Sequence, residues 1–254
     1  ALMKALLING SRTVNGLYNL RPDNNINFQG WGMPSLEGIL PKTNTIMVFD
    51  QDPTMALATD EMHVRRVTVS PNAQASSLRV SLVWTDPPGN PAVGVKLVND
   101  LDLVVTNLAT GDVYFGNNFE GSDFSSINIM NDGTNGFVVL NGNYDRVNNV
   151  ENIYINGPLD DEYAVAVVGR RVNVNAVTTA PDGIRQDYAL VISIGDLTIT
   201  NALTVTEPDL ITETGANVLP LTNIESSVPG QGYSLSFVEG QRVGANNPYE
   251  VSTN

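Results

Sequence analysis

Cysteine is absent from this 254-residue chain, which excludes a disulfide framework, a zinc–thiolate centre and a thiol nucleophile. Histidine occurs once, as His63, and no Gly-x-Ser-x-Gly or Gly-Thr-Ser motif is present. A Ser-His-Asp triad therefore has no sequence signal here, and no catalytic residue is assigned. Basic residues are scarce: 13 Lys and Arg stand against 27 Asp and Glu, a formal net charge of -14. Nucleic acid and anionic membranes both demand clustered cations, so neither is expected as a partner. Long apolar runs are missing too. The most apolar stretch, residues 1 to 11, carries Lys4 and falls short of the roughly 20 residues that cross a bilayer. That stretch lacks the initiator Met, basic start and cleavage pattern of a signal peptide, so the chain is expected to begin inside a longer protein.

What is present suits a β-protein. Hydrophobic residues make up 42% of the chain, enough for a core, while charged residues supply only 16%. Much of the polar surface must then come from Asn, Thr, Ser and Asp, residues of turns and strand edges. Leu2, Met3, Leu6 and Leu7 have helical spacing, with Asn9-Gly10 as a stop signal. A short helix is predicted there with no evident partner to pack on, and a second over 34–40, before Pro41. From Thr45 the texture changes to short apolar runs at 45–49, 62–69, 78–84, 98–106, 113–115, 137–140, 150–155, 163–168 and 188–194. Turn chemistry such as Asp86-Pro87-Pro88-Gly89 and Ala109-Thr110-Gly111-Asp112 separates them. Strands at this spacing without helical interludes predict a mainly β, antiparallel, jelly-roll-like sandwich preceded by one or two short helices. The expected divisions are a helical remnant over 1–44, the sandwich over 45–198 and an extension or further module over 199–254, with a strand pair at 203–206 and 233–238.

The stretch Val98-Asn99-Asp100-Leu101-Asp102-Leu103-Val104-Val105 poses the chemical question. In an extended chain Asp100 and Asp102 share one face and Leu101, Leu103 and Val105 the other. Two carboxylates side by side repel unless water, a cation or hydrogen-bond donors satisfy them. Calcium takes six to eight oxygens from carboxylates, Asn side chains and carbonyls. A second oxygen-rich cluster, Asp145, Asn148, Asn149 and Glu151, would lie nearby if the two strands pair. The expected metal ligands are Asp100, Asp102, Asp145 and Asn148. The competing reading is that Asp145 pairs with Arg146 or caps a turn and that Asp100 accepts backbone N–H bonds. His63 reads as a surface or strand-edge residue, Arg170-Arg171 as a solvated strand end, and Trp31 and Trp84 as core rather than a sugar-binding face.

Three stretches taken together resemble one family. They are the helix Ala1-Leu2-Met3-Lys4-Ala5-Leu6-Leu7-Ile8-Asn9-Gly10, then Gly30-Trp31-Gly32 with a short helix, then a sandwich. The sandwich carries Leu82-Val83-Trp84-Thr85-Asp86-Pro87-Pro88, Val98-Asn99-Asp100-Leu101-Asp102-Leu103 and Asp145-Arg146-Val147-Asn148-Asn149-Val150-Glu151. That order resembles the tail of a subtilisin-like serine protease whose catalytic domain runs into a C-terminal β-sandwich, as in the large oxidatively stable alkaline proteases. The resemblance covers roughly residues 1 to 195. It implies that the nucleophile, in a Gly-Thr-Ser-Met-Ala helix, and its Asp and His partners all precede residue 1. It further implies calcium in or beside the sandwich, a subtilisin-like catalytic domain as partner in cis or as an associated chain, and a secreted parent. The alternative is a stand-alone extracellular carbohydrate- or adhesion-binding sandwich, for which a leading helix has no use.

Overall fold

Period-two patterning in the strands resolves into two antiparallel sheets whose inner faces meet. The computed structural model describes residues 1–14, 20, 29–40, 45–120, 123–131, 137–140, 144–177, 183–194, 203–206, 208–212, 219–225, 232–237 and 249–253. Helix α1 spans Leu2–Asn9 and a single turn, α2, spans Leu36–Ile39. The strands are β1 (Ile46–Asp50), β2 (Glu61–Val69), β3 (Leu78–Val83), β4 (Asp100–Asn107), β5 (Val113–Phe115), β6 (Ile129–Asn131), β7 (Phe137–Val139), β8 (Val150–Ile155), β9 (Glu162–Arg171) and β10 (Ala189–Ile194). They are followed by β11 (Leu203–Val205), β12 (Asp209–Thr212), β13 (Leu219–Glu225), β14 (Gly232–Phe237) and β15 (Tyr249–Thr253).

One sheet has four strands in the order β1-β10-β3-β8, and the other has eight, β11-β2-β9-β4-β5-β6-β7 with β12 also on β2. The mainly β, antiparallel sandwich with a helix ahead of it is the expected fold class. Its core is built by alternation: Leu78, Val80 and Leu82 of β3, Ile153 and Ile155 of β8, and Leu190, Ile192 and Ile194 of β10 point inward. They meet Val67 and Val69 of β2, Leu101, Leu103 and Val105 of β4, and Tyr163, Val165 and Val167 of β9. Burying such side chains contributes roughly 1.5–3 kcal/mol each, which makes this layer the dominant stabilising feature. Trp84 is fully buried in it, donating its indole N–H to the Asn99 carbonyl at 2.9 Å.

Four expectations need amendment. Helix α1 does have a partner: Ala5 and Ile8 pack on Ile46, Val83, Val150, Ala189 and Val191, the outer face of the four-stranded sheet. Strands β6, β12, β13 and β15 went unread, β6, β12 and β15 being short and β13 carrying Pro220, a residue that argues against a strand. Residues 203–206 do not pair with 233–237, and residue 238 of the expected strand lies outside the described residues. Strand β11 lies on Val67–Val69 of β2, whereas β14 pairs with β13 and β15 in a separate three-stranded sheet. Sandwich strands therefore continue past residue 198, through β12 on residues 61–64 of β2.

Candidate functional site: a buried acidic cluster

Strand β4 places Asp100 and Asp102 on the face away from the main core, beside Val104, which packs with Phe115, Ile129 and Val168 on the outside of the eight-stranded sheet. Tyr144 packs over that face, and both carboxylates are buried, Asp100 at 2% and Asp102 at 0% exposure. The neighbouring strand β9 departs from regular register here: Leu101 faces Gly169 while Asp100 faces Arg171, so Arg170 is the extra residue of a β-bulge. A bulge re-aims a side chain. Arg170 Nε reaches Asp102 Oδ2 at 2.6 Å, and its guanidinium lies 4.5 Å over the Tyr144 ring, which in turn stacks on Phe115 at 4.1 Å. Arg171 approaches Asp100 only at 4.0 Å, with its side chain half exposed. The basic pair expected as a solvated strand end thus includes one residue tied to a buried carboxylate.

Glu151 completes the cluster from the other sheet. It alternates with Ile153 and Ile155 on β8, so it points between the sheets, and it is 1% exposed. Strands β4 and β8 do not pair, as each belongs to a different sheet. Contact is made where β5 ends: Gly116 N–H donates to the Leu103 carbonyl, and Leu103 N–H donates to Glu151 Oε2 at 2.6 Å. A Cβ on Gly116 would collide with the Glu151 carboxylate, so the glycine makes the space.

Electrostatics follow from burial. Burial first, then the charge of Asp102, pushes Asp100 up to about 6. Burial also raises Asp102, against the pull of Arg170, and raises Glu151 well above the ordinary carboxylate range, with Asp102 adding to the effect. Asp100 Oδ1, Asp102 Oδ1 and Glu151 Oε1 are buried and have no hydrogen-bond partner. Unmet oxygens on buried carboxylates are costly and call for a proton or a cation.

The other two expected ligands are engaged locally. Asp145 Oδ1 accepts Val147 N–H at 2.9 Å and Asn148 N–H at 3.1 Å. Its Oδ2 accepts the side-chain amides of Asn117 at 2.6 Å and Asn148 at 2.7 Å. Asp145 thus closes its own turn, and Asn117, in the left-handed region at φ 60° that Asn tolerates, fixes it to β8 through Val150 O at 2.7 Å. Oxygen donors of this kind match calcium chemically. Among the described residues, however, no three His, Cys, Asp or Glu side chains are grouped so as to hold a metal ion. Glu151, noted in the sequence only as part of an oxygen-rich cluster, proves to be the third buried carboxylate. An acidic residue in step with two isoleucines was the signal.

His63 is neither at the surface nor at a strand edge. It shares the inward face of β2 with Val67 and is 2% exposed, with Nδ1 2.8 Å from the Tyr188 hydroxyl. Burial, reinforced by Arg65, lowers its pKa to about 4. A cavity of about 220 Å³ opens nearby, lined by Phe49, Gln51, Met55, Arg65 and Tyr188 among others.

No family model matches the chain. It is similar to the serine protease/ABC transporter B family protein tagD of Dictyostelium discoideum, at 30% identity over 189 residues that take in 60% of this chain and 10% of that protein. The chain spans about a tenth of that relative's length, and over this stretch it is related to a protein named for a serine protease.

Proposed function

We propose that this chain is the C-terminal stabilising portion of a secreted subtilisin-like serine endopeptidase, contributing no catalytic residue itself. The observation that supports this most is α1. One face of the helix is seated on the sandwich, yet Met3 on its other side is 68% exposed and Leu7 42% exposed. Leu36 of α2 and Met33 add 74% and 65% exposed apolar side chains close by in sequence. Apolar side chains exposed on the side of a helix away from its seat mark a contact with a further body. In this reading the catalytic domain covers that surface, and the sandwich raises the barrier to unfolding, which is what a protease needs to survive its own activity. The named relative supports a protease connection. The binding-module alternative loses its aromatic platform, since Trp84 is buried.

The test is the coding sequence ahead of Ala1. A helix led by Gly-Thr-Ser-Met-Ala is expected, and a start codon with a secretion signal directly before Ala1 would defeat the proposal. The purified chain itself is expected to hydrolyse no peptide and to resist a serine-directed fluorophosphonate. Covalent labelling of one of its serines would contradict that.

Calcium forms the second part of the proposal, with Asp100 and Asp102 as the carboxylates that would bind it and its further oxygens drawn from outside the acidic side chains, since no three of those are grouped around one point among the described residues. Its support is the unpartnered, buried Oδ1 of each aspartate and the hard-oxygen chemistry that calcium prefers. Bound there, a divalent cation would neutralise the cluster.

A further inference from the structure

The outer face of the four-stranded sheet holds polar groups that a merely greasy seat for a helix would not include. Arg79 and Ser81 of β3, Asn152 of β8 and Ser193 of β10 are all buried there, next to Val83, Val150 and Val191, which carry the apolar contact. Burying a guanidinium, an amide and two hydroxyls is unfavourable unless each is bonded. Most of those bonds converge on one object, the last turn of α1. Arg79 Nε donates to the Asn9 carbonyl at 2.8 Å and Arg79 Nη2 to the Ser11 carbonyl at 2.9 Å. The same guanidinium lies 3.5 Å over the Tyr154 ring, whose hydroxyl donates to the Ile8 carbonyl at 3.4 Å.

The side chain of Asn9, itself 1% exposed, is read just as closely. Its Nδ2 donates to Ser81 Oγ at 3.1 Å, with the Arg79 and Val191 carbonyls at 3.3 and 3.4 Å, and its Oδ1 accepts from Ser193 Oγ at 2.5 Å. Ser81 passes the chain on to Asn152 Oδ1 at 2.5 Å. Next along, Gly10 meets the Gly38 backbone and Ile39 of α2 so tightly that a Cβ would collide with both.

We infer that this face is a recognition surface for a helix C-terminal turn of the sequence Ile8-Asn9-Gly10-Ser11, and that Asn9 sets which turn is seated. The last carbonyls of a helix lack intrahelical partners and carry the negative end of its dipole, so a buried arginine is the matched receptor. Apolar contact is non-directional and would let α1 slide or rotate. The polar set forbids this, because a shift of one turn, about 5.4 Å, would strand the groups that answer Asn9. Whatever is joined ahead of α1 is thereby held at one orientation to the sandwich. That consequence rests on the proposed role as a protease tail, whereas recognition of the turn does not.

The absence of cysteine allows a direct test in the full chain, with spin labels at Met3→Cys on the exposed side of α1 and Ala109→Cys on the exposed β4–β5 turn. A single narrow distance distribution is expected with Asn9 in place. Asn9→Leu keeps the volume and is expected to broaden the distribution at least twofold or add a second population, while Ile8→Ala, which trims only apolar contact, leaves it narrow. Ser193→Ala removes one arm of the reading and is expected to broaden it less, and it decides by the same criterion should Asn9→Leu fail to fold. An unchanged distribution in the Asn variant, or equal broadening in the Ile variant, would show that apolar contact alone sets the register. Failure of the protease reading would appear in the sequence ahead of Ala1 instead and would leave these distances untouched.

Discussion

Single residues carry the sharpest physical statements. His63 has a folded pKa near 4, below the roughly 6.5 of an unfolded histidine. The unfolded chain therefore binds the proton first, and stability is fully present above about 6.5 and lost as pH falls toward 4. Across that window the effect is on the order of 3 kcal/mol. Urea midpoints measured from pH 7.5 to 4.5 for wild type and His63→Gln check this: the wild-type curve is expected to fall more steeply, and parallel curves would mean that His63 does not titrate on unfolding. Gly116 offers a second test. Gly116→Ala forces a side chain against the buried Glu151 carboxylate and is expected to cost about 1–3 kcal/mol. Most of that cost should vanish in a Glu151→Ala background, and an undiminished cost would place the strain elsewhere. The shared face of Asp100 and Asp102 was legible in the sequence because period-two alternation is local. The partnership of Arg170 with Asp102 was not, since it depends on a bulge in a strand some seventy residues away, and Glu151 reaches the cluster only around the end of β5.

At the scale of elements, long alternating strands were legible and their neighbours were not. Strand β10 reads as a nearly continuous apolar run, and β3 and β8 hold polar residues at buried positions, because both faces of each are covered, one by the opposing sheet and one by α1 and loops. The same coverage explains why nothing in the sequence of α1 announced its seat: the receptor is assembled from β3, β8 and β10, which lie far apart in the chain. Edges show a second consequence. Thr206 N–H donates to the Arg66 carbonyl at 3.0 Å, and β11 and β12 together pair with both ends of β2. Without them β2 would present an open row of backbone donors and acceptors, a template for intermolecular pairing. A chain ending at Ile194 is expected to self-associate where the full chain stays monodisperse, as light scattering at matched concentrations would report. An equally monodisperse truncation would show that β2 needs no cover.

For the whole molecule the governing quantity is charge. A net charge of -14 means that any buried carboxylate sits in a field that already disfavours its ionised form, and the cluster at Asp100, Asp102 and Glu151 adds burial to that field. Arg170 neutralises part of it at Asp102, leaving the oxygens on the far side of each carboxylate without a partner. A cation that binds only the folded chain stabilises it by RT ln(1 + [L]/Kd), about 2.7 kcal/mol at a hundredfold excess over Kd, which raises the melting midpoint by several degrees. Calcium is expected to do this and magnesium to do less, since magnesium holds its waters and demands a smaller octahedral shell. The comparison is melting of wild type and Asp102→Asn with chelator, with calcium and with magnesium at one ionic strength, so that general screening of the acidic surface acts equally on all. The wild-type midpoint is expected to rise with calcium and the Asp102→Asn midpoint to stay near its chelator value. Equal rises in both proteins, or none in wild type, would mean that the three carboxylates are balanced by Arg170 and bound protons alone.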